Sequence, residues 1–233
     1  MKQMLLKLVA VGVIASAVSV PVFAEEAEVD PWEGMNRSIF AFNEGFDRYL
    51  LKPATLGYKA VTPDVVETGV SNFFGNISDI GSFVNNVLQA KFEPALNDFA
   101  RLTFNTTIGL AGFIDVATPM GLPETDEDFG QTLGYWGFES GPYLMLPFFG
   151  PSTVRDGVGF VAESVTSPYN NLEDDTLRYS LTALRAIDQR AGLLEAERLI
   201  SGDKYLFIRN LYLQRREFQV NDGQLESFDD DDF

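Results

Sequence analysis

The sequence contains no cysteine and no histidine. Without cysteine there is no disulfide, no thiolate nucleophile and no residue to carry a thioether-linked lipid. Without histidine the commonest general base and the commonest zinc ligand are missing. Ser-His-Asp and Cys-His catalysis are therefore excluded, and an enzyme would have to work with carboxylates, lysine, tyrosine or an oxygen-held metal. Basic residues are scarce as well: 17 Lys and Arg stand against 34 Asp and Glu, a net charge of −17. That balance argues against a nucleic-acid partner. It also argues against simple electrostatic docking on anionic lipid, so any membrane contact must come from apolar burial.

What is abundant is phenylalanine, with 20 Phe against two Trp and eight Tyr. Phe brings apolar area with no polar handle. So many bare rings mark either a generous core or a lipid-facing surface. The chain opens with Lys2 and Lys7, an apolar stretch to about Val20, and Val22-Phe23-Ala24 before Glu25-Glu26. This is the pattern of a secretory signal peptide cleaved after Ala24, which leaves 25–223 as one domain and 224–233 as an acidic, disordered tail.

Helical periodicity dominates that domain. Asp30, Pro31 and Glu33 read as a helix start, followed by Met35, Ile39, Phe42, Phe46 and Tyr49 at spacings of three and four. Lys52-Pro53 is expected to end that helix. Further starts are expected at Thr62-Pro63-Asp64, Ser78-Asp79 and Glu93-Pro94. Segments 127–136, 152–166, 174–189, 193–200 and 203–220 are also helical in pattern. Gly202 and Gly223 stand where C-caps belong. No hairpin, repeat or long linker is evident, so the expected fold class is mainly α.

Two apolar stretches stand out. Leu102–Ile114 is uncharged over 13 residues, against about 20 for a spanning helix, and it contains Gly109 and Gly112. Ser140–Val154 is broken by Gly141, Pro142, Pro147, Gly150 and Pro151. Neither is a regular spanning helix. Residues so apolar must be covered by protein or face lipid with their backbone satisfied internally, and both readings stay open on physical grounds. Asp115, directly after the first stretch, is expensive if buried unless paired, and Arg101 or Arg155 is expected to clasp it. The acids Glu124, Asp126, Glu127 and Asp128 lack the spacing of a calcium loop and read as a solvated turn.

Four segments carry a resemblance: "DPWEGMNRSIFAFN" (30–43), "RLTFNTTIGLAGFIDVA" (101–117), "FGQTLGYWGFESGPYLMLPFFGPSTVRDGVG" (129–159) and "YLFIRNLYLQRREF" (205–218). In this order and over nearly the whole exported chain, the sequence resembles the MlaA (VacJ) family. The resemblance implies a ring-like helical domain of amphipathic helices with a central channel, seated in the periplasmic leaflet of the outer membrane. It implies a non-enzymatic phospholipid conduit with no cofactor or nucleotide. Trimeric porins and a soluble periplasmic lipid carrier are the implied partners. Many members of the family carry a lipidated cysteine after the signal sequence, and this chain has none.

On this resemblance the lipid pathway or its gate is expected at Phe42 and Asn43, at the apolar turn Gly109, Gly112 and Phe113, and at Gly141, Pro142, Tyr143, Pro147 and Phe148. Core packing accounts for the same residues in a soluble domain. The competing functions are a hydrolase built on Ser152 and Asp156, which lacks a nucleophile elbow and a histidine, and a porin-associated surface protein that moves no lipid.

Overall fold

The computed structural model describes residues 29–168 and 171–223, so the expected signal peptide and acidic tail lie outside the described residues. The chain begins with α1 (Glu33–Phe46), a π-helical turn (Asp47–Leu51) and α2 (Lys52–Val61). The long α3 (Asp64–Leu88) and α4 (Phe92–Thr107) follow. Then come a 3-10 turn (Thr118–Met120), α5 (Phe129–Tyr135), strands β1 (Tyr143–Leu146) and β2 (Gly150–Thr153), and α6 (Val154–Thr166). The chain closes with α7 (Asp175–Leu193), a second 3-10 turn (Ala196–Leu199) and α8 (Lys204–Val220). The fold is mainly α with one small sheet. The helices α3 and α4 form an antiparallel pair, α2 packs on α7, and α5 packs on α6 and α8.

Several boundaries differ from the sequence expectation. Pro53 does not stop the first helix. The π turn bonds the Lys52 N–H back to the Asp47 carbonyl. That shift lets Pro53, which has no N–H, stand at the start of a new helical run. Ser78-Asp79 starts nothing, because α3 runs straight through it. Asp30 does not cap α1 with its side chain; Trp32 is the cap residue and makes no side-chain bond. The C-terminal helix does end as expected, with the Gly223 N–H donating to the Phe218 carbonyl at 2.9 Å and Gly223 at φ 79°.

A hairpin is present where none was expected. Strands β1 and β2 pair antiparallel from Tyr143↔Thr153 to Leu146↔Gly150. The loop Pro147–Phe149 uses φ 67° at Phe148, with φ 86° at Gly150 just beyond it, so a bulky ring occupies a position that usually takes glycine. Pro151 is tolerated because β2 is an edge strand.

Burial is inverted relative to a soluble domain. Among the described residues, 18 buried side chains are polar or charged and seven are hydrophobic, while 38 large hydrophobic residues are exposed. The inward stripe of α3 shows the pattern: Asn76, Asp79, Ser82, Asn86 and then Gln89 are buried, while Val84, Val87 and Leu88 point out. On α6, Val154, Val158, Val161 and Val165 form an exposed stripe at helical spacing. At roughly 37 Å, α3 is long enough to cross a bilayer, but its polar stripe forbids it alone. Among the described residues no helix is long and apolar enough to cross a membrane.

Candidate functional site: polar nodes beneath an apolar exterior

Three buried polar nodes hold the helices together. The first ties α1 to the hairpin and α8. Asn36, fully buried, donates to the Asp30 carboxylate at 2.8 Å and to the Tyr143 carbonyl at 3.1 Å, and accepts the Met145 N–H at 2.9 Å. Two turns further along α1, Asn43 repeats the clamp: it donates to the Leu146 carbonyl at 2.9 Å and accepts the Phe148 N–H at 2.8 Å. Seven helical residues advance roughly 10 Å, and so do three strand residues. That match lets two asparagines grip one strand. Asp30 also accepts from the Tyr205 hydroxyl at 2.5 Å and from Arg209 at 3.2 Å. At the hairpin tip the Phe148 ring meets Phe42 and Phe46 edge-on, at 5.1 and 5.0 Å.

The second node lies between α3, α4 and the turn after α4. Arg101, 4% exposed, donates to the Thr118 hydroxyl at 3.0 Å and to the Leu122 carbonyl at 2.7 Å. Its guanidinium stands 3.6 Å from Asp115 and 3.5 Å from Asp79. Burial works against the Asp115 charge, but bonds from Thr118 and Asn105 and the nearby Arg101 hold its carboxyl below the usual range. At Asp79 burial outweighs the help of Arg101 and pushes the carboxyl up to about 6. Gly112 must be glycine: it sits at φ 91°, and an added Cβ would fall 2.6 Å from Cβ of Asn76. A Cβ on Gly109 would fall 2.1 Å from the Ile114 carbonyl oxygen.

The third node joins α5, α6 and α8. Arg216 forks between Asp128, at 2.5 and 2.9 Å, and Asp156, at 3.1 and 2.8 Å. Asp156 also accepts from Tyr212 at 2.6 Å and from Arg155 at 3.1 Å. Burial alone would raise the Asp156 carboxyl, yet Arg216 holds it below the usual range.

The candidate residues therefore fall into three places. Phe42, Asn43, Tyr143, Pro147 and Phe148 meet at the hairpin and its contact with α1. Gly141, at φ 67°, and Pro142 lead into it; the Pro142 carbonyl accepts the Val154 N–H at 3.1 Å. These residues form ordered hairpin structure rather than the irregular backbone expected of them. Gly109, Gly112 and Phe113 form the turn beside Arg101 and Asp115. Arg155 belongs to the Arg216 node and pairs with Asp156, not Asp115, so that half of the expected clasp is corrected. The acids 124–128 are not a purely solvated turn. Glu127 bonds Gln89 at 2.8 Å and Lys91 at 3.4 Å, and Asp128 caps α5 and meets Arg216.

Sequence reasoning did not single out Asp79, Asp156 or Arg216 as members of buried nodes. The signal for α3 was available: polar residues 76, 79, 82, 86 and 89 recur at spacings of three and four.

These features define a helical protein with buried polar nodes, many exposed large hydrophobic residues and no spanning helix among the described residues. The family model for the MlaA lipoprotein matches residues 28–219, and the chain belongs to that family. Among curated proteins it is 34% identical over 209 residues to the intermembrane phospholipid transport system lipoprotein MlaA of Escherichia coli, covering 87% of this chain and 82% of that one. It is 32% identical over 212 residues to the protein of the same name from Haemophilus influenzae, covering 87% and 85%. A solved structure described as the basis for maintenance of bacterial outer membrane lipid asymmetry superposes with a TM-score of 0.72 at 34% identity. That match covers 82% of this chain and 99% of the other.

Proposed function

We propose that this chain is a phospholipid conduit of the outer membrane, removing mislocalised phospholipid from the outer leaflet and passing it towards the inner membrane. The observation that carries the reading is the inverted burial. A protein with polar helix faces inside and 38 large apolar residues outside, counted among the described residues, is built for a lipid surround rather than for water. Family membership and the names of the relatives supply the cargo.

In this reading the exported domain, 25–223, sits as a ring in the periplasmic leaflet around a central channel. Trimeric porins flank it, and a soluble periplasmic carrier takes the lipid onwards. The hairpin and its α1 clamps, with Phe42, Asn43, Tyr143 and Phe148, border the pathway. Gly141, Pro142 and Pro147 shape that border, and the turn at Gly109, Gly112 and Phe113 buttresses it. The clasp of Arg101 on Asp115 fixes the turn. No catalysis is involved. A passive channel only equilibrates lipid, so net removal is set by the downstream carrier.

The test is outer-leaflet phospholipid in a deletion strain, read by a surface-restricted acyl-transfer probe with and without plasmid-borne protein. A rise on deletion that complementation reverses supports the conduit. An unchanged level in a strain with no second copy overturns it in favour of a porin-associated protein that moves no lipid. Lysolipid or free fatty acid released by the purified protein would contradict the non-enzymatic reading.

A further inference from the structure

We propose that Arg190 is a positioning residue of the lipid pathway: reaching from α7, it fixes the π turn at Asp47, and with it the rotation of α1, whose asparagines hold the hairpin. The proposal rests on the conduit reading above and names what aligns the border of the pathway. Helices α1 and α2 form one continuous helical run, interrupted only by the π turn Asp47–Leu51. The Lys52 N–H closes that turn on the Asp47 carbonyl, five residues back. In an α-helix, residues five apart stand roughly 140° apart around the axis; a bond of this span stacks them on one side. The turn thus holds one residue more than an α turn, and α1 stands roughly 100° round its axis from where an unbroken helix would put it.

The side chains account for the turn. Arg190, 10% exposed at its side chain, donates to both Asp47 oxygens, from Nε at 2.7 Å and from Nη2 at 2.9 Å, and from Nη2 again to Glu197 at 2.6 Å. Lys52 donates to the same Glu197 oxygen at 3.0 Å. Asp47 and Lys52, the two ends of the π bond, therefore face one cluster, which α-helical spacing would split. The hydrogen bond from Arg190 holds the Glu197 carboxyl down at about 2, so it stays ionised. Helix α2 is held by its packing on α7, the helix that carries Arg190. Asn36, Asn43 and Asp47 lie within roughly 40° of one another around α1. Arg190 therefore holds the rotation at which Asn36 meets Tyr143 and Met145, and Asn43 meets Leu146 and Phe148. Turning α1 back to the unbroken-helix phase would carry both asparagines off the strand. A planar fork that spans two carboxylates on separate elements fixes direction in a way a point charge does not.

The test reads the rotation of α1 directly. The chain has no cysteine, so Ala41→Cys on α1 and Ala183→Cys on α7, both exposed, take the only two nitroxides. Their separation is measured by pulsed electron–electron resonance in detergent. The native side chains should give one narrow distance. Asp47→Asn and Arg190→Ala, each with native helicity, should add a second population displaced by up to ~8 Å, the chord of that rotation at the helix surface. The double variant should match either single one, because both break the same contact. In a deletion strain the same variants, without labels, should leave outer-leaflet phospholipid high where the native plasmid lowers it. Should Arg190→Ala fail to accumulate, Arg190→Lys, which keeps the charge and loses the fork, carries the same expectations. Unchanged distances overturn the proposal, and so does a displaced α1 with native levels of surface phospholipid; the conduit reading survives both. If the native plasmid itself fails to lower surface phospholipid, the conduit reading falls and the proposal with it.

Discussion

Replacing Asp79 with asparagine should remove a loss of stability that the native protein suffers as pH rises. Asp79 is 1% exposed. Its Oδ2 has no hydrogen-bond partner, and neither has the Arg101 Nε 3.5 Å away. Burial pushes the carboxyl from 3.8 up to about 6; Arg101 opposes the rise, and repulsion from Asp98 and Glu124 adds to it. The folded protein therefore keeps a proton that the unfolded chain releases, and in that window raising the pH favours unfolding. A shift of about two units corresponds to ~3 kcal/mol. The contribution is fully present below the unfolded value of 3.8 and lost once the pH has risen through about 6. For a domain of this size that is about 6–12 °C in melting temperature.

The assay is thermal melting of both proteins in one detergent at intervals from about pH 4 to about pH 7. Asp98, Glu127, Glu163 and Asp188 are also raised by burial, so both proteins weaken with pH, and the difference between the two curves isolates Asp79. Asparagine should gain on the native residue across the window, and the gain includes the lost repulsion between Asp79 and Asp98. A difference that stays flat would refute the argument that burial keeps Asp79 protonated.

Other residues give simpler tests. Asn36→Ala leaves the Met145 N–H and the Tyr143 carbonyl without their buried partner, and should cost ~3 kcal/mol in denaturant melts. Gly112→Ala meets both a left-handed φ and the Asn76 side chain, and should cost ~3 kcal/mol. By contrast Gly81→Ala, mid-helix with nothing within 4 Å of its Cβ, should stabilise by about 0.5–1 kcal/mol; equal melting temperatures for these two variants would refute the account of the turn. Arg216→Lys keeps the charge but loses the fork across Asp128 and Asp156, and should cost ~2 kcal/mol at neutral pH. Because Asp156 titrates below its ordinary value, that penalty should shrink only in acid, as the carboxylate gains its proton.

Much of the secondary structure was legible, for identifiable reasons. Pro63-Asp64, Glu93-Pro94 and Asp203 mark helix starts through caps and fixed φ, and these are local effects that a sequence states openly. The misses are places where a local rule met a tertiary one. Pro53 breaks a helix on its own, but a π turn upstream absorbs it. Ser78-Asp79 has the composition of a cap, yet Asp79 is held mid-helix by its place between α3 and α4. The hairpin stayed hidden because its strands are four residues long and its loop puts Phe148 where a turn usually shows glycine; two asparagines, Asn36 and Asn43, 103 to 109 residues earlier in the chain help to fix it.

The direction in which each helix faces was the deepest gap, and it bears on function. Apolar residues at spacings of three and four establish that a helix has two faces. They do not say which face turns inward; that depends on the solvent the protein meets. In water, exposed apolar residues such as Val84, Val87 and Leu88 of α3 and the Val stripe of α6 would be expected to turn inward and Asn76, Asp79 and Asn86 to point out. Here the asparagines and aspartates meet inside, where each has a specific geometry to satisfy, and the apolar stripes are left outside, where only their area matters. Polar contacts fix one arrangement by direction as well as distance, and they supplement the two small apolar clusters at Val70–Phe74 and Tyr143–Met145–Tyr205. The same inversion assigns the surplus of phenylalanine. Rings such as Phe92, Phe99, Phe138 and Phe149, all more than half exposed, would be an aggregation hazard on a protein surrounded by water, and become an attachment when the surround is lipid.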